Sequence, residues 1–415
     1  MRWKRRRTAL FAGQSLPRSF LEGITNSPDI GSFPVPPLKS LAELASTNAA
    51  AQAATPALAS SGRGGPSSPD SWTTKALTRG LWKKGVPKYS LLWLSEPDAS
   101  QHESGPGSPA AMAALESSDR NLASVVKALE EKGILDKTDI FVVSDHGFST
   151  LSGGPDIIDS LKRNKFTAGK TFQNPEAGDI LIVNLGGSVS FYVFDHDEQV
   201  TRRLVSYLQT TDFAGVIFSA VPVDGTFPLS QANINVSHGA PDVVVAMRWT
   251  DERSEYGVPG MLSSVEGRKG RGAHGSLSPY DLHNTLVASG PDLRKGFVDE
   301  IPSGNIDLAP TILSILGVTP PQSMDGRVLA EALIGAEPLS TKPAVETVDA
   351  ARSLGFLEWR QYLKITRLGS AAYYDQGNGR SALKATTFGA ALAGKAVQAA
   401  SGTLPSSAPK PNPVP

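Results

Sequence analysis

The chain has 415 residues, and its 40 lysines and arginines balance 40 aspartates and glutamates, giving a formal net charge of zero at pH 7. This balance gives no support to nucleic-acid binding, and 40% hydrophobic with 19% charged residues is typical of a globular rather than a disordered protein. The absence of cysteine excludes disulfides and thiolate metal sites, and no apolar run approaches the roughly 20 residues of a membrane-spanning helix.

Residues 1–71 are predicted to be a poorly organised N-terminal segment. Met1–Arg7 is strongly basic, but the apolar run after it is shorter than the ~7–15 residues of an export-signal core, so we interpret it as a solvated tail. A trimmed or misassigned start is the alternative. The alanine-rich stretch 38–58 is compatible with a helix, and the glycine, serine and proline content of 59–69 indicates a flexible connector.

A regular pattern of strands and helices is predicted over residues 72–335. A helix over 73–84 and a strand over 89–95 come first. Ser108 and Pro109 then begin a helix that ends near Gly133, and an apolar strand follows at 140–143. One apolar helix face is predicted from Met112, Leu115, Leu122, Val125, Val126 and Leu129. A strand, a helix and a second strand in this order indicate a βαβ unit of a parallel sheet.

Residues 155–235 are predicted to form a small inserted α+β subdomain. A hairpin over 179–194 turns at Gly186 and Gly187, and a helix at 201–209 and a strand at 215–220 follow. The main sheet is predicted to resume at 242–247 and 286–289, before a helix from Asn305 to Leu316. Residues 336–415 are predicted to be a C-terminal extension with a disordered tail. The fold class is therefore α/β, with a mostly parallel sheet sandwiched by helices and a small inserted subdomain.

Five residues of metal-ligand type follow separate predicted elements of the main sheet. They are Asp98, His102, Asp145, His146 and His274. An open α/β sheet places its chemistry at the carboxyl ends of its strands, and carboxylate and imidazole donors suit zinc, manganese or a similar divalent ion. Taken singly, Asp145 and His146 could equally be a turn cap beside an exposed histidine. A pair such as Asp98 and His102 is usually solvent-facing, and a lone loop histidine such as His274 is more often simply exposed. Together they indicate metal-dependent hydrolysis.

The remaining histidines carry weaker signals. His196 lies between Asp195 and Asp197, and we interpret it as part of a charged turn in the inserted subdomain. His238 and His283 have no partner at ligand spacing, so they receive no role.

The ligand-bearing motifs resemble those of the type I phosphodiesterase/nucleotide pyrophosphatase family, within the alkaline phosphatase superfamily. The motifs are Glu96–His102, Val142–Gly147, Gly272–Gly275 and the run Ser278–Pro291, in the family's order over roughly residues 72–330. The resemblance implies an alkaline-phosphatase-like fold with two zinc ions. It implies that Asp98, His102 and His274 bind one ion and that Asp145 and His146 bind the other.

The same resemblance implies an upstream aspartate and a threonine or serine nucleophile, which this sequence does not show in a matching context. The available hydroxyls are Thr25, Ser27, Thr73 and Thr74, so the catalytic residue is unassigned and the chain reads as lacking the nucleophile segment. Two hypotheses follow. One is a two-metal hydrolase of small phosphate esters, impaired by that loss, and the other is a truncated or degenerate member that binds a metal or a phosphorylated ligand without catalysis.

The family analogy favours a periplasmic or secreted protein. The partner expected is a small-molecule phosphate ester, with no nucleic-acid polymer and no membrane span.

Overall fold

The computed structural model describes residues 9–11, 68–234, 239–265, 268–337 and 339–384. The helix expected at 38–58, most of the connector at 59–69, Thr25, Ser27, His238 and the tail beyond 384 lie outside the described residues. Within the described part of the chain, no helix is both long and apolar enough to cross a membrane.

The strands are numbered in chain order. They are β1 (Ala9–Phe11), β2 (Ser90–Leu92), β3 (Ile140–Val143), β4 (Ser149–Gly153), β5 (Ala168–Gly169), β6 (Ile180–Asn184), β7 (Ser188–Val193), β8 (Ala214–Ser219), β9 (Phe227–Pro228), β10 (Val243–Met247), β11 (Trp249–Arg253), β12 (Pro259–Ser263), β13 (Gly272–Ala273), β14 (Leu286–Ser289), β15 (Ala344–Leu354), β16 (Leu357–Leu368) and β17 (Ala371–Leu383).

The α-helices are numbered in the same way. They are α1 (Pro69–Lys75), α2 (Asp98–Ser104), α3 (Pro109–Glu131), α4 (Ile157–Arg163), α5 (Glu198–Leu208), α6 (Pro279–Leu282) and α7 (Leu308–Ile315). After α1 the chain continues as a π-helical turn, Ala76–Gly80, and a 3-10 turn, Leu81–Lys84, where the sequence predicted one plain helix.

The strands form a mixed α/β architecture, which confirms the fold class. A six-stranded sheet has the order β5-β6-β7-β10-β8-β9, and a four-stranded sheet has the order β11-β12-β4-β13. Among the described strand pairs, β1–β2, β5–β6, β8–β9 and β12–β4 are parallel, and the others are antiparallel. The pairing is therefore mixed rather than mostly parallel, because short turns such as the one between β6 and β7 join antiparallel neighbours.

Two strands pair differently from the prediction. The strand β3, expected beside a parallel neighbour, pairs antiparallel with β14. The strand β10, expected in the main sheet, lies between β7 and β8, with Val243 opposite both Phe191 and Ser219. The hairpin β6–β7 is present as predicted. An apolar run such as β10 shows that a strand is buried, but its neighbours are chosen by packing between distant segments.

The helix α3 has the predicted ends but a partly different buried face. Ser108 caps it by accepting a hydrogen bond from the Ala111 N–H at 3.2 Å. Ala111 and Leu129 are buried, whereas Met112 and Leu115 are about half exposed. The expected apolar face is therefore wrong at its first turns, because small residues there allow α3 to approach α1 and α2 closely.

The main hydrophobic core lies around the six-stranded sheet. Every residue of β8 is buried, and α4 and α5 contribute Leu161, Leu204 and Leu208 to the core. The C-terminal strands β15–β17 form an antiparallel sheet that packs on β8. Trp359 of β16 is fully buried in the same core, so this part of the chain is integral to it.

Candidate metal centre

Asp98 and His102 lie on one face of α2, four residues apart, which is the spacing that brings helical side chains together. Asp98 Oδ1 is 3.5 Å from His102 Nε2. The other ring nitrogen, His102 Nδ1, lies 3.1 Å from the Gly272 carbonyl oxygen. Because that carbonyl can only accept, Nδ1 carries the proton in the neutral ring, and Nε2 is left free to bind a cation.

Asp145 and His146 follow β3 in a loop whose backbone is held from two sides. The Asn305 side-chain amide donates to the carbonyls of Ser144 and Asp145, at 3.1 and 3.0 Å. The Gly147 N–H donates to the Asp281 carbonyl at 2.8 Å. A side chain at Gly147 would place its Cβ 2.1 Å from the Tyr280 carbonyl oxygen, so this close approach requires glycine.

His274 directly follows β13, which pairs antiparallel with β4 through Gly272 opposite Thr150. Its carbonyl accepts a hydrogen bond from the Gly187 N–H at 2.7 Å. Gly187 lies at the turn of the β6–β7 hairpin, so the predicted inserted subdomain contacts the loop of His274.

These three segments bring four of the five predicted ligand residues together. Asp98 Oδ1 lies 3.8 Å from His146 Nε2 and 3.8 Å from His274 Nε2. The ligand atoms of Asp98, His146 and His274 all lie within 4.8 Å of one another. His102 Nε2 is 3.1 Å from His274 Nε2. Ligands held about 2.0–2.1 Å from a tetrahedral ion are separated by about 3.3 Å, so this spacing fits one small divalent ion.

Asp145 lies at the edge of the cluster. Its Oδ1 is 3.6 Å from His146 Nε2, and its side chain is 53% exposed, against 24% for His146. Asp145 therefore contacts the cluster at His146. Asp98, by contrast, lies close to all three imidazoles.

The ring of Phe148 packs against the rings of His102, His146 and His274. Its ring centroid lies 5.0 Å from that of His102, 5.5 Å from that of His146 and 5.2 Å from that of His274. The rings of His146 and His274 stack, with their centroids 3.5 Å apart and their planes 13° apart. Such packing restricts the rotation of the imidazoles.

The electrostatics of the cluster favour neutral histidine at its centre. Burial, together with the neighbouring His146 and His102, lowers the pKa of His274 to about 4. A neutral imidazole is the form that binds metal ions. The donor set and the neutral form of His274 therefore fit a divalent cation.

Thr73 and Thr74, the two candidate nucleophiles that the structure describes, are not placed to act as nucleophiles. Thr73 and Thr74 are buried, and their hydroxyls donate to the Asp70 carbonyl at 3.0 and 2.7 Å. The Asp70 carboxylate in turn accepts from the backbone N–H groups of Ser95 and Glu96, which precede α2. The Thr73 and Thr74 hydroxyls are therefore bonded within α1, and the Asp70 side chain links α1 to the residues before α2.

Phe148, Asn305 and Asp281 also belong to the site, and the sequence motifs did not predict them. Phe148 lies two residues after His146, so proximity to the ligand motif is a usable signal for it. Asn305 and Asp281 lie more than 130 residues away from the loop that they hold, and the sequence signal for them is only the resemblance of Ser278–Pro291 to the closing segment of the family.

Comparison with known proteins supports the resemblance. Residues 51–251 match the sequence model of the family described as type I phosphodiesterase / nucleotide pyrophosphatase. The resemblance to that family is confirmed over this stretch, which carries Asp98, His102, Asp145 and His146. His274 lies beyond it.

Curated relatives match over short stretches. A venom phosphodiesterase of Naja atra is 29% identical over 72 residues, which are 17% of this chain and 9% of that protein. A 2,3-bisphosphoglycerate-independent phosphoglycerate mutase of Salinibacter ruber is 34% identical over 98 residues, which are 23% of this chain and 18% of that protein. The chain therefore matches less than a fifth of the length of either relative.

Solved structures of ectonucleotide pyrophosphatase / phosphodiesterase 5 are also similar to the chain. An inactive murine variant in complex with AMP has a TM-score of 0.44 and 17% identity, with 61% of each chain covered. The human protein has a TM-score of 0.45 and 16% identity, with 65% of each chain covered.

Proposed function

We propose that the chain is a metal-dependent hydrolase of small phosphate esters, of the phosphodiesterase / nucleotide pyrophosphatase type. The observation that carries this proposal is the convergence of Asp98, His102, His146 and His274, whose metal-binding atoms lie 3.1–3.8 Å apart in four of their pairs. The family match over residues 51–251 supports the reaction class.

Zinc is the proposed ion, because nitrogen and carboxylate donors without thiolates suit it. Asp98, His102 and His274 would supply three ligands to a first ion, and Asp145 and His146 would supply ligands to a second. The distance of 3.8 Å from Asp98 Oδ1 to His146 supports a compact centre in which both ions, if two bind, are neighbours. A bound divalent ion would supply Lewis acidity toward a phosphoryl oxygen.

The protein residues would have distinct roles around such an ion. Asp98 Oδ1 lies 3.5–3.8 Å from all three imidazoles, and its negative charge would neutralise part of the charge of the cation. Phe148 packs against all three imidazoles and would help to hold them around the ion. The loop before His274 contains Arg268, Lys269 and Arg271, whose positive charge would favour an anionic substrate.

The alternative is a member of the family that binds a metal or a phosphorylated ligand without hydrolysing it. The observation that favours this alternative is the engagement of Thr73 and Thr74, whose hydroxyls are buried and bonded to the Asp70 carbonyl. Neither is presented as a nucleophile, so turnover would need another hydroxyl or a solvent nucleophile.

Zinc titration combined with two chromogenic substrates would test both proposals. The substrates are bis-p-nitrophenyl phosphate, a diester, and p-nitrophenyl phosphate, a monoester. We expect zinc-dependent diester hydrolysis that is lost in His146→Ala and retained in His196→Ala, a matched control for a histidine outside the cluster. Stoichiometric zinc binding without turnover of either ester would support the non-catalytic alternative. No zinc binding would contradict the hydrolase and the metal-binding form of the alternative.

A further inference from the structure

Asp281 is a buried carboxylate that lies between the segments carrying His146 and His274. It belongs to α6, and its residue is only 2% exposed. Both of its carboxylate oxygens and its backbone carbonyl accept hydrogen bonds from those two segments. The proposed function gives this residue no part in binding the ion or the substrate.

On the side of His146, Asp281 holds the chain at two points. The Ser149 hydroxyl donates to Asp281 Oδ1 at 2.5 Å, and the Gly147 N–H donates to the Asp281 carbonyl at 2.8 Å. Gly147 directly follows His146. Ser149, the first residue of β4, lies three residues after His146. The short loop from His146 to β4 is therefore fastened to a single residue of α6.

On the side of His274, the other carboxylate oxygen makes the contacts. The Ser276 N–H and the Ser276 hydroxyl both donate to Asp281 Oδ2, at 3.0 and 2.6 Å. The Ser276 hydroxyl also accepts from the Ser278 N–H at 3.0 Å, which ties the loop to the start of α6. Ser276 lies two residues after His274, so this oxygen fixes the chain leaving the histidine.

A carboxylate in a buried position is costly unless hydrogen bonds satisfy it, and hydrogen bonds to a charged acceptor are stronger than neutral ones. Ser149, Ser276 and Asp281 are all at least 95% buried, so water does not compete for these bonds. The two segments are joined side by side to the same carboxylate, which sets the distance between them.

We propose that Asp281 is a positioning residue that fixes His146 relative to His274 and thereby sets the affinity of the cluster for its metal ion. The metal part of this inference rests on the proposed function. The coupling of the two segments through one carboxylate does not, because it concerns the protein without metal.

The experiment compares the full chain with Asp281→Ala in two measurements. Amide hydrogen exchange in zinc-free protein follows the peptides containing Gly147 and Ser276. Competition with a chromogenic chelator gives the zinc dissociation constant. We expect faster exchange in both peptides and a zinc affinity lowered by about 10–100-fold, as loss of residues that orient metal ligands typically causes.

Asp242→Asn is the matched control, because Asp242 is also a buried aspartate. It accepts hydrogen bonds from the Val193 N–H at 2.7 Å and the His196 ring at 2.8 Å, next to β10 at the end far from Gly187. We expect it to lower stability and leave both peptides and the zinc affinity unchanged. If Asp281→Ala fails to fold, Ser149→Ala and Ser276→Ala each remove one hydroxyl and should shift both readouts in the same direction by less.

Three results would decide the inference. Exchange that changes only in the peptide containing Ser276 would overturn it, and so would a zinc affinity equal to that of the unchanged chain. Absence of zinc binding by the unchanged chain would instead remove the proposed function, and the exchange data would still establish whether Asp281 couples the two segments.

Discussion

Asp98 reaches three imidazoles because it begins α2, whose next turn carries His102 and whose end approaches β13. A Cβ at Gly272 would lie 2.5 Å from the Gln101 carbonyl oxygen, which shows how close α2 and β13 are. The position of Asp98 therefore depends on a glycine in another segment. The spacing of Asp98 and His102 was enough to predict Asp98 as a ligand. It did not predict the close approach of α2 to β13, which completes the site.

The central position of Asp98 predicts unequal effects of two conservative substitutions. Asp98→Asn removes a charge that lies 3.5–3.8 Å from all three imidazoles. We expect zinc affinity to fall by at least about 100-fold, the upper end of what loss of an indirect partner causes. Asp145→Asn, at the exposed edge, should keep one zinc ion with affinity within about tenfold. Isothermal titration calorimetry measures both. Equal losses in the two variants would contradict the central role of Asp98.

His196 supplies a pH-dependent interaction outside the metal cluster. Its Nδ1 lies 2.8 Å from Asp242 Oδ1, and this hydrogen bond, with the charge of Asp242, raises the pKa of His196 above its ordinary value of 6.5. A raised pKa in the folded state stabilises the fold below the unfolded value, and the stabilisation is lost as pH rises through the folded pKa.

We therefore expect the unfolding free energy of the chain, relative to His196→Ala, to decrease as pH rises above 6.5. The effect should be small and should weaken in high salt, because the His196 side chain is 75% exposed. Urea unfolding at several pH values measures the difference between the two proteins. A difference that does not vary with pH would show that the ion pair contributes no stability.

The β6–β7 hairpin is the element that joins the six-stranded sheet to the metal cluster. Its strands and its turn were predictable from two largely apolar runs separated by Gly186 and Gly187. Its contact with the His274 loop was not, because sequence patterns report the period of a strand and say little about what its turn touches. For the same reason the apolar run of β10 predicted a strand but not its place between β7 and β8.

Replacing Gly187 by alanine should disturb the metal cluster through the hairpin. A Cβ there would lie 2.4 Å from the Ser276 nitrogen and 2.6 Å from the His274 carbonyl oxygen, so backbone must move. We expect a loss of about 1–3 kcal/mol in unfolding free energy, as overpacking causes, and weaker zinc binding. Denaturant unfolding and zinc titration measure the two effects.

Gly80→Ala is the control for that substitution. A Cβ at Gly80 meets nothing within 4 Å, and its φ is negative, so we expect stability to be unchanged or slightly higher. Normal zinc affinity in Gly187→Ala would show that the hairpin does not position His274.

The whole molecule depends on its C-terminal sheet. Residues 344–383 were predicted only as part of a C-terminal extension, although inward and outward residues alternate along β16. Trp359, Gln361, Leu363 and Ile365 are buried, and Arg360, Tyr362 and Lys364 between them are more exposed. The alternation itself is typical of a strand with one buried face. What the sequence could not show is that this face completes the core of a sheet formed some 130 residues earlier.

Trp359→Ala should therefore destabilise the whole fold. Trp359 is fully buried, and its Nε1–H donates to the Gly225 carbonyl at 2.8 Å. We expect a loss of about 3–5 kcal/mol in unfolding free energy, as removal of a large buried side chain causes. Phe356→Ala, in the turn before the same strand and 86% exposed, should change stability by less than about 0.5 kcal/mol.

Guanidinium unfolding followed by circular dichroism compares these two variants. A small effect of Trp359→Ala would mean that the C-terminal sheet folds apart from the six-stranded sheet.

The contact that Gln361 makes with a distant strand bears on how the chain folds during its synthesis. The Gln361 side-chain amide bonds both the N–H and the carbonyl of Ile217, at 2.8 and 3.1 Å, across 144 residues of chain. During synthesis β8 leaves the ribosome long before β16, and so does the segment carrying all the proposed ligand residues. Contacts between such distant residues form slowly, and partly folded chains expose apolar surface until they do. We expect the nascent chain to present an open sheet edge to chaperones until its last strands emerge. A metal ion that binds before then would bind to a chain whose hydrophobic core is still incomplete.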